Sequence, residues 1–284
     1  MMKLLKRILI VLILLVLAAS TCIYYAFKIE PFRVAVNDFN LNDDGADRER
    51  LNIVQISDLH IKADFTYENL DKVVKKINGQ NPDIVIFTGD LYDNYEVYRD
   101  DENITAVLKR IEARYEKIAI WGNRDYGGGA ENAYAAVMED AGFALLENEN
   151  WYVTLDNGKR VLFTGLDDAL LGHPVMPDRK KICDWDYSVL LSHEPDNVER
   201  YLNCDYDIAL SGHSHGGQIN VPFLPFVNEM ALDVTALSSK YSGGMYTFDD
   251  SQLHRLYVNT GIGTTHVSAR FGVVPEIAVF HVSV

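Results

Sequence analysis

The sequence predicts a mixed α/β domain of two packed sheets with outer helices, placed after one N-terminal transmembrane helix. Three observations lead to it. The chain opens on an uncharged apolar run, short apolar strands then alternate with amphipathic helical patterns, and the second half turns strand-rich.

Lys3, Lys6 and Arg7 precede the run at 8–27, ILIVLILLVLAASTCIYYAF, which can cross a bilayer as a helix rising about 1.5 Å per residue. The basic residues favour a cytoplasmic N-terminus, and Tyr24, Tyr25 and Phe27 before Lys28 match an interfacial aromatic belt. Residues 1–28 are therefore read as an uncleaved, single-pass anchor in the cell membrane, with the rest of the chain outside the cytoplasm. A cleaved signal peptide fits less well, because the run exceeds a usual signal core and Ala18-Ala19-Ser20 is a mediocre cleavage site. Ser20-Thr21 before Cys22 is a poor lipid-attachment box, and the lack of a polar face argues against a buried core helix.

Residues 29–50 turn polar and acidic and form a connecting segment that can carry an edge strand at 32–36. The domain proper is expected over 51–284. It begins with strand 52–56, helix 67–77, strand 83–87, a helix around 104–115, strand 118–121 and helix 130–141, a βαβαβα order that implies a largely parallel sheet. Strands follow at 151–155, 160–164, 187–191, 208–210, 256–258 and 275–284, the first two joined by the hairpin signal Asp156-Asn157-Gly158.

Composition narrows the function. With 48% hydrophobic and 11% aromatic residues the chain can build a sizeable core. A formal net charge of −15 repels nucleic acid at long range, and no Lys/Arg-rich stripe follows residue 50, so no nucleic-acid binding is expected. Cys22, Cys183 and Cys204 show no CxxC spacing; Cys183 and Cys204 could pair only if the fold joins them, and free thiols are expected.

Each polar motif follows an apolar strand, the place where open α/β sheets put their ligand sites. NIVQI runs into Ser57-Asp58-Leu59-His60, DIVIF into Thr88-Gly89-Asp90-Leu91-Tyr92-Asp93, and KIAIW into Gly122-Asn123-Arg124-Asp125. YSVLL runs into Ser192-His193-Glu194-Pro195, and DIAL into Ser211-Gly212-His213-Ser214-His215. Carboxylate mixed with imidazole suits Mn, Fe, Zn or similar ions, and a carboxylate can bridge two of them about 3.5–4 Å apart. Taken singly, Asn123 reads as a turn residue, His193 as a hydrogen-bonded structural histidine, and Asp58 or Asp90 as a helix cap. Five such coincidences in chain order favour the metal reading.

DxH at Asp58 and His60, GDxxD at Gly89–Asp93, GN-x-[DE] at Gly122–Asp125, the strand-end His193 and GHxH at Gly212–His215 resemble the calcineurin-like metallophosphoesterase family. GLDD at 165–168, SGHSHGGQ and the closing NTGIGTT look like a bacterial membrane-associated branch. The resemblance implies a four-layer α/β/β/α sandwich and direct attack by a metal-bridging hydroxide. It implies that Asp58, His60 and His215 hold one divalent metal, that Asn123, His193 and His213 hold another, and that Asp90 bridges them. Asp90, Asn123 and Arg124 would be the catalytic residues. Arg124 is a departure, because the family usually carries histidine there.

Asp93 and Asp125 are expected to orient ligands, although Asp125 could equally start a turn. Asp167, Asp168 and His173 read as a solvated surface loop, with substrate contact as the lesser alternative. The tract 241–248 reads as a packed strand turning at Gly243-Gly244, or else as a lipid or nucleobase pocket. The expected function is hydrolysis of a phosphomonoester, phosphodiester or pyrophosphate, lipid-linked or nucleotide, at the outer membrane face. The alternative, prompted by Arg124, is a noncatalytic metal- or phosphate-binding module. Turnover of an activated aryl phosphodiester separates the two.

Overall fold

Strands that are apolar on both faces need cover on both sides, and this chain meets that demand by stacking two six-stranded mixed sheets. The structure, a computed structural model, describes residues 2–42, 50–179, 184–249 and 254–284. Among them the helices are α1 (Met2–Lys28), α2 (Tyr67–Asn78), α3 (Asp101–Leu108), α4 (Asn123–Tyr126), α5 (Tyr134–Asp140) and α6 (Pro225–Asp233). The first six strands are β1 (Ala35–Asn40), β2 (Arg50–Ile56), β3 (Ile84–Phe87), β4 (Glu116–Ile120), β5 (Ala144–Leu146) and β6 (Glu149–Thr154). The others are β7 (Arg160–Gly165), β8 (Tyr187–Leu191), β9 (Ile208–Ser211), β10 (Gly244–Thr247), β11 (Arg255–Val258) and β12 (Glu276–Ser283).

One sheet runs β1-β12-β2-β3-β4-β5 and the other β10-β11-β9-β8-β7-β6. Within the first, β2, β3, β4 and β5 are parallel; within the second, β7, β8, β9 and β11 are parallel. Parallel pairing brings the carboxyl ends of neighbouring strands to one edge of each sheet. The two edges meet where Gln55 of β2 donates from Nε2 to the Ser211 carbonyl of β9 at 3.0 Å.

The core between the sheets joins Ile53, Ile86 and Ile120 of the first sheet to Phe163, Val189 and Leu210 of the second. A second core covers the outer face of the first sheet, where α2 buries Leu70, Val73, Val74 and Ile77, an i, i+3, i+4, i+7 stripe. The Asn69 side chain accepts from the Thr66 amide at 3.0 Å and closes the start of that helix. Beyond the second sheet the cover is a 3-10 turn, Pro195–Tyr201, whose Val198 and Tyr201 pack with Leu190 and Leu256.

Several elements depart from the sequence expectation. The edge strand lies at Ala35–Asn40 rather than 32–36, because Pro31 opens a 3-10 turn, Glu30–Phe32, that delays it. Helix α3 starts and ends earlier than 104–115, its first turn tied down by Asp101, whose carboxylate accepts from the Tyr92 and Tyr95 hydroxyls. Strand β5 and helix α6 have no counterpart in the expectation. In the tract 241–248, Tyr241 packs edge-on against Tyr246 and Phe248, and β10 pairs antiparallel with β11. Helix α1 is long and apolar enough to cross a membrane, and its side chains are exposed until the last turn, where Ala26 is buried. There the Ala26 carbonyl accepts from the Arg270 amide at 2.9 Å and the Tyr25 ring meets Phe271 edge-on at 6.2 Å. Cys22 and Cys204 are free thiols, and Cys183 lies outside the described residues.

Phe280 of β12, 1% exposed, packs between Phe39 and Tyr257 inside the inter-sheet core. Phe280→Ala should cost about 3–5 kcal/mol, whereas Val97→Ala, at an 83% exposed position, should stay within about 0.5 kcal/mol. Urea unfolding measures both; equal midpoints for the two variants would contradict this packing.

Candidate metal centre

The strand ends of both sheets converge on one buried cluster. Asp58 and His60 follow β2, Asp90 follows β3, and Asn123 opens α4 after β4; His193 follows β8, and His213 and His215 follow β9. The loops are latched to one another by their backbones: Asp58 N donates to the Gly89 carbonyl at 2.9 Å, Gly212 N to the His193 carbonyl at 3.0 Å, and Gly263 N to the Asp58 carbonyl at 2.7 Å. Across the sheets, His213 N donates to Asp58 Oδ2 at 3.0 Å. Asp58, His60, Asp90, His213 and His215 all have positive φ, between 42° and 68°. Side chains rarely adopt that region, at a cost of about 1–3 kcal/mol each, and such strain gathers at functional sites. Gly122 and Gly212 make the crowding possible. A Cβ on Gly122 would lie 2.5 Å from Asp90 Oδ1, and one on Gly212 would collide with Ser57 Oγ and Asp58 Oδ2.

The side chains form two groups, Asp58 with His60 and His215, and Asp90 with His193 and His213, each with its ligand-type atoms within 4.8 Å of one another. Asp90 faces both. Its Oδ2 lies 3.4 Å from His60 Nε2, while its Oδ1 lies 3.5 Å from His193 Nε2 and accepts from the Arg124 amide at 2.7 Å. Each imidazole is held by its other nitrogen or its neighbour. His60 Nδ1 is 3.2 Å from Asp93 Oδ1, His193 Nδ1 is 2.6 Å from the Thr88 carbonyl, and His213 Nε2 is 2.7 Å from the Ala236 carbonyl. His215 Nε2 faces His60 Nε2 at 2.9 Å, with the Arg270 guanidinium 3.3 Å from its Nδ1.

Electrostatics follow from burying six ionisable groups against one another. Burial works against ionising Asp58, yet His215, His60 and His193 hold its carboxyl well below the usual carboxylate range. Burial likewise opposes the charge on Asp90, and His193 and His60 keep it low. Against the same burial, the carboxylates raise His60 and lift His193 well above an ordinary imidazole. His213 and His215 are lowered, first by burial and then by the neighbouring cations. The donor set fits divalent cations: Asp58 Oδ1, Asn123 Oδ1 and His193 Nε2 are buried without a hydrogen-bond partner, and a cation can replace the protons that the imidazoles share with the carboxylates.

Asp125 is fully buried and organises the same loops, accepting from the Asp90, Leu91 and Gly122 amides at 2.8, 2.9 and 2.9 Å. Burial and the charge on Asp90 push its carboxyl up to about 8 against those three donors. Arg124 lies at the rim of a cleft of about 200 Å³ that the cluster lines, and its Nη2 donates to Thr265 Oγ1 at 3.2 Å.

One sequence expectation needs correction. Asp167 and Asp168 are buried, not solvated, and only His173 is exposed. Asp168 Oδ2 accepts from the Leu170, Leu171 and Gly172 amides, wrapping the loop around itself so that Leu170 reaches the cleft wall. Asp167 Oδ1 accepts from the Tyr126 hydroxyl at 2.7 Å. Burial and that bond raise the Tyr126 phenol. Glu194 and Arg270 were not anticipated. Burial and the adjoining Asp168 push Glu194 well up, and its only sequence signal is its place directly after His193. Arg270 is fully buried by donation to the Thr260 and Gly263 carbonyls, and nothing in its local sequence marks it.

The profile of the calcineurin-like phosphoesterase family matches residues 51–217. The uncharacterized metallophosphoesterase YkuE of Bacillus subtilis is 33% identical over 260 residues, covering 90% of this chain and 88% of that protein. The UDP-2,3-diacylglucosamine pyrophosphatase LpxG of Chlamydia trachomatis is 27% identical, covering 84% of this chain and 86% of its own length. A transmembrane protein with metallophosphoesterase domain from Bos taurus is 27% identical over 80% of this chain, which spans about half (52%) of that relative. By sequence match and by fold, the chain belongs to the calcineurin-like phosphoesterase family and is a hydrolase of phosphate esters.

Proposed function

We propose that the cluster holds two divalent cations, with Asp58, His60 and His215 on one, Asn123, His193 and His213 on the other, and Asp90 between them, and that it hydrolyses a phosphomonoester, phosphodiester or pyrophosphate. The observation that carries this reading is Asp90, whose two carboxylate oxygens turn to different histidine groups. When bound, such a pair supplies Lewis acidity to the phosphoryl oxygens and acidifies a shared water toward neutral pH. The chain itself supplies the positioning. Asp93, the Thr88 carbonyl and the Ala236 carbonyl fix which nitrogen His60, His193 and His213 present. Asp125 locks the β3 and β4 loops at their distance. Arg124, half-buried at the cleft, offers its guanidinium to the phosphoryl oxygens. The name of the bovine relative supports a membrane-anchored domain, 51–284, and the basic residues Lys3, Lys6 and Arg7 in the first turns of α1 support its lying on the outer face. The pyrophosphatase among the relatives supports an anhydride among the substrates.

Metal content and turnover test the assignment directly. The full-length protein loaded with Mn²⁺ should carry two ions per chain and cleave bis(4-nitrophenyl) phosphate. Asp90→Asn should lose metal from both positions and His60→Ala chiefly from one. Each should lower turnover by at least about 100-fold, the upper range seen even for residues that only orient a ligand. An Asp90→Asn protein with two ions and normal turnover would overturn the bridge.

Arg124 generates a second expectation. A guanidinium donates hydrogen bonds but does not release its proton, so it cannot protonate a leaving oxygen as the family histidine could. Turnover should therefore fall steeply as the leaving group becomes more basic. Arg124→His should raise the alkyl-to-aryl ratio of kcat/KM, in which losses of uniform binding cancel. A ratio unmoved by the change, with wild type indifferent to leaving-group basicity, would contradict this role.

A further inference from the structure

An apolar groove opens beside the metal cluster. It encloses about 320 Å³, and its walls include Ile219, Val227, Ala231, Val234 and Val267. It is continuous with the metal cleft, for His215, Val234, Thr235, Thr265 and His266 line both. Helix α6 forms one wall, and the segment around it leaves large apolar side chains in the open: Phe223 is 98% exposed, Phe226 52%, Met230 65% and Val234 79%. Soluble surfaces rarely expose so contiguous an apolar patch unless something binds there.

Most polar side chains of the groove are engaged with the protein, Ser214 donating to the Ser242 carbonyl and Thr235 to the Ala231 carbonyl. Gln218 accepts from the Thr265 amide at 2.7 Å and donates to its carbonyl at 2.9 Å. Asn228, just behind the wall, donates to the Gly216 and Ile219 carbonyls. No aromatic ring other than His215 and His266 lines the groove among the described residues. A sugar would find no free amide there, and the exposed His266 ring is shared with the metal cleft rather than set deep among the aliphatic walls, whereas an aliphatic chain needs neither amide nor ring.

The groove also lies next to the end of α1. Tyr25 packs on Phe271, whose backbone bridges to Ile219 in the groove wall, and Val221 and Leu224 flank the exposed Phe223 just beyond. The Ala26 carbonyl takes the amide of Arg270, and the same arginine reaches His215 of the cluster. The apolar helix end, the groove and the phosphate site are thus joined through single-residue contacts.

We infer that the substrate is an amphiphile, an alkyl- or acyl-chain phosphate ester or pyrophosphate, whose chain lies in the groove between α6 and the Thr265–Val267 loop while its phosphate meets the metal cluster. The inference rests on the phosphoesterase reading and names the substrate class for that same site. Entry follows the surface from the bilayer, with Phe223, Phe226 and Met230 on the path.

The test compares matched substrates on the full-length, Mn²⁺-loaded protein in nanodiscs: 4-nitrophenyl octyl against 4-nitrophenyl methyl phosphate, and octyl against methyl diphosphate. Within a pair the scissile bond is the same. The octyl member of the pair that is hydrolysed should have a kcat/KM at least about tenfold higher, mostly through KM. Val227→Asp should bring that ratio toward one, and Val227→Leu should preserve it. Equal kcat/KM within the pair in wild type, or a ratio undiminished in a folded Val227→Asp protein because the bilayer alone concentrates the chain, would overturn the groove. Should Val227→Asp fail to fold, the wild-type ratio decides together with inhibition by non-hydrolysable phosphonates: octyl phosphonate should bind at least about tenfold tighter than methyl phosphonate, and equal inhibition constants would overturn the groove. Hydrolysis of neither pair would overturn the inference, and the phosphoesterase reading falls with it if 4-nitrophenyl phosphate is also left uncleaved.

Discussion

The carboxylate of Asp90 is the constraint on which the remainder of the site depends. It sits at the end of β3, in the middle of the first sheet, with positive φ and almost no exposure. Its side chain accepts the Arg124 amide, its own amide donates to Asp125, and its carbonyl accepts from His60 N at 3.2 Å. Three strand ends are therefore fixed relative to one oxygen pair. A buried anion is tolerated only when it is paired and hydrogen-bonded, and here His60 and His193 face it from opposite sides. The proposed metal pair is the natural completion of that arrangement.

The fold sets up this constraint. Only two stacked sheets, each with parallel strands ending at one edge, bring side chains from β2, β3 and β4 against those from β8 and β9. The left-handed backbone at five of the cluster residues is strained, and the continuous apolar core between the sheets supplies the stability that holds it. Glycines stand where a Cβ would displace a ligand, at Gly122 and Gly212. Stability and site geometry are in this sense one property: loosening the inter-sheet core relaxes the loops that present Asp58, Asp90 and His213.

Much of this was legible in the sequence because it is locally encoded. Apolar runs such as IVIF and YSVLL mark buried strands, and a polar motif after each marks its carboxyl end. What stayed illegible depends on contacts between distant residues. An Asp-Asp pair in a loop reads as solvated; Asp167 and Asp168 are buried because the loop folds back so that the His173 amide meets Asp167, while Tyr126 and Glu194, distant in sequence, close against Asp167 and Asp168. Arg270 carries no periodic signal, and its burial is set by carbonyls of the loop after β11. Helix α6 escaped notice because it has a proline at its start, no acidic first turn and mostly exposed apolar residues, so no amphipathic stripe announces it. That same exposure is what makes it useful for reading the substrate.

The central claim is that one carboxylate organises two cation positions. Crystals of the full-length or membrane-released protein grown with Mn²⁺, with anomalous diffraction recorded at the manganese edge, test it most directly. The account predicts two peaks about 3.5–4 Å apart, one on the side of Asp58, His60 and His215 and the other on the side of Asn123, His193 and His213, with Asp90 reaching both. A single peak, or a pair away from Asp90, would contradict it.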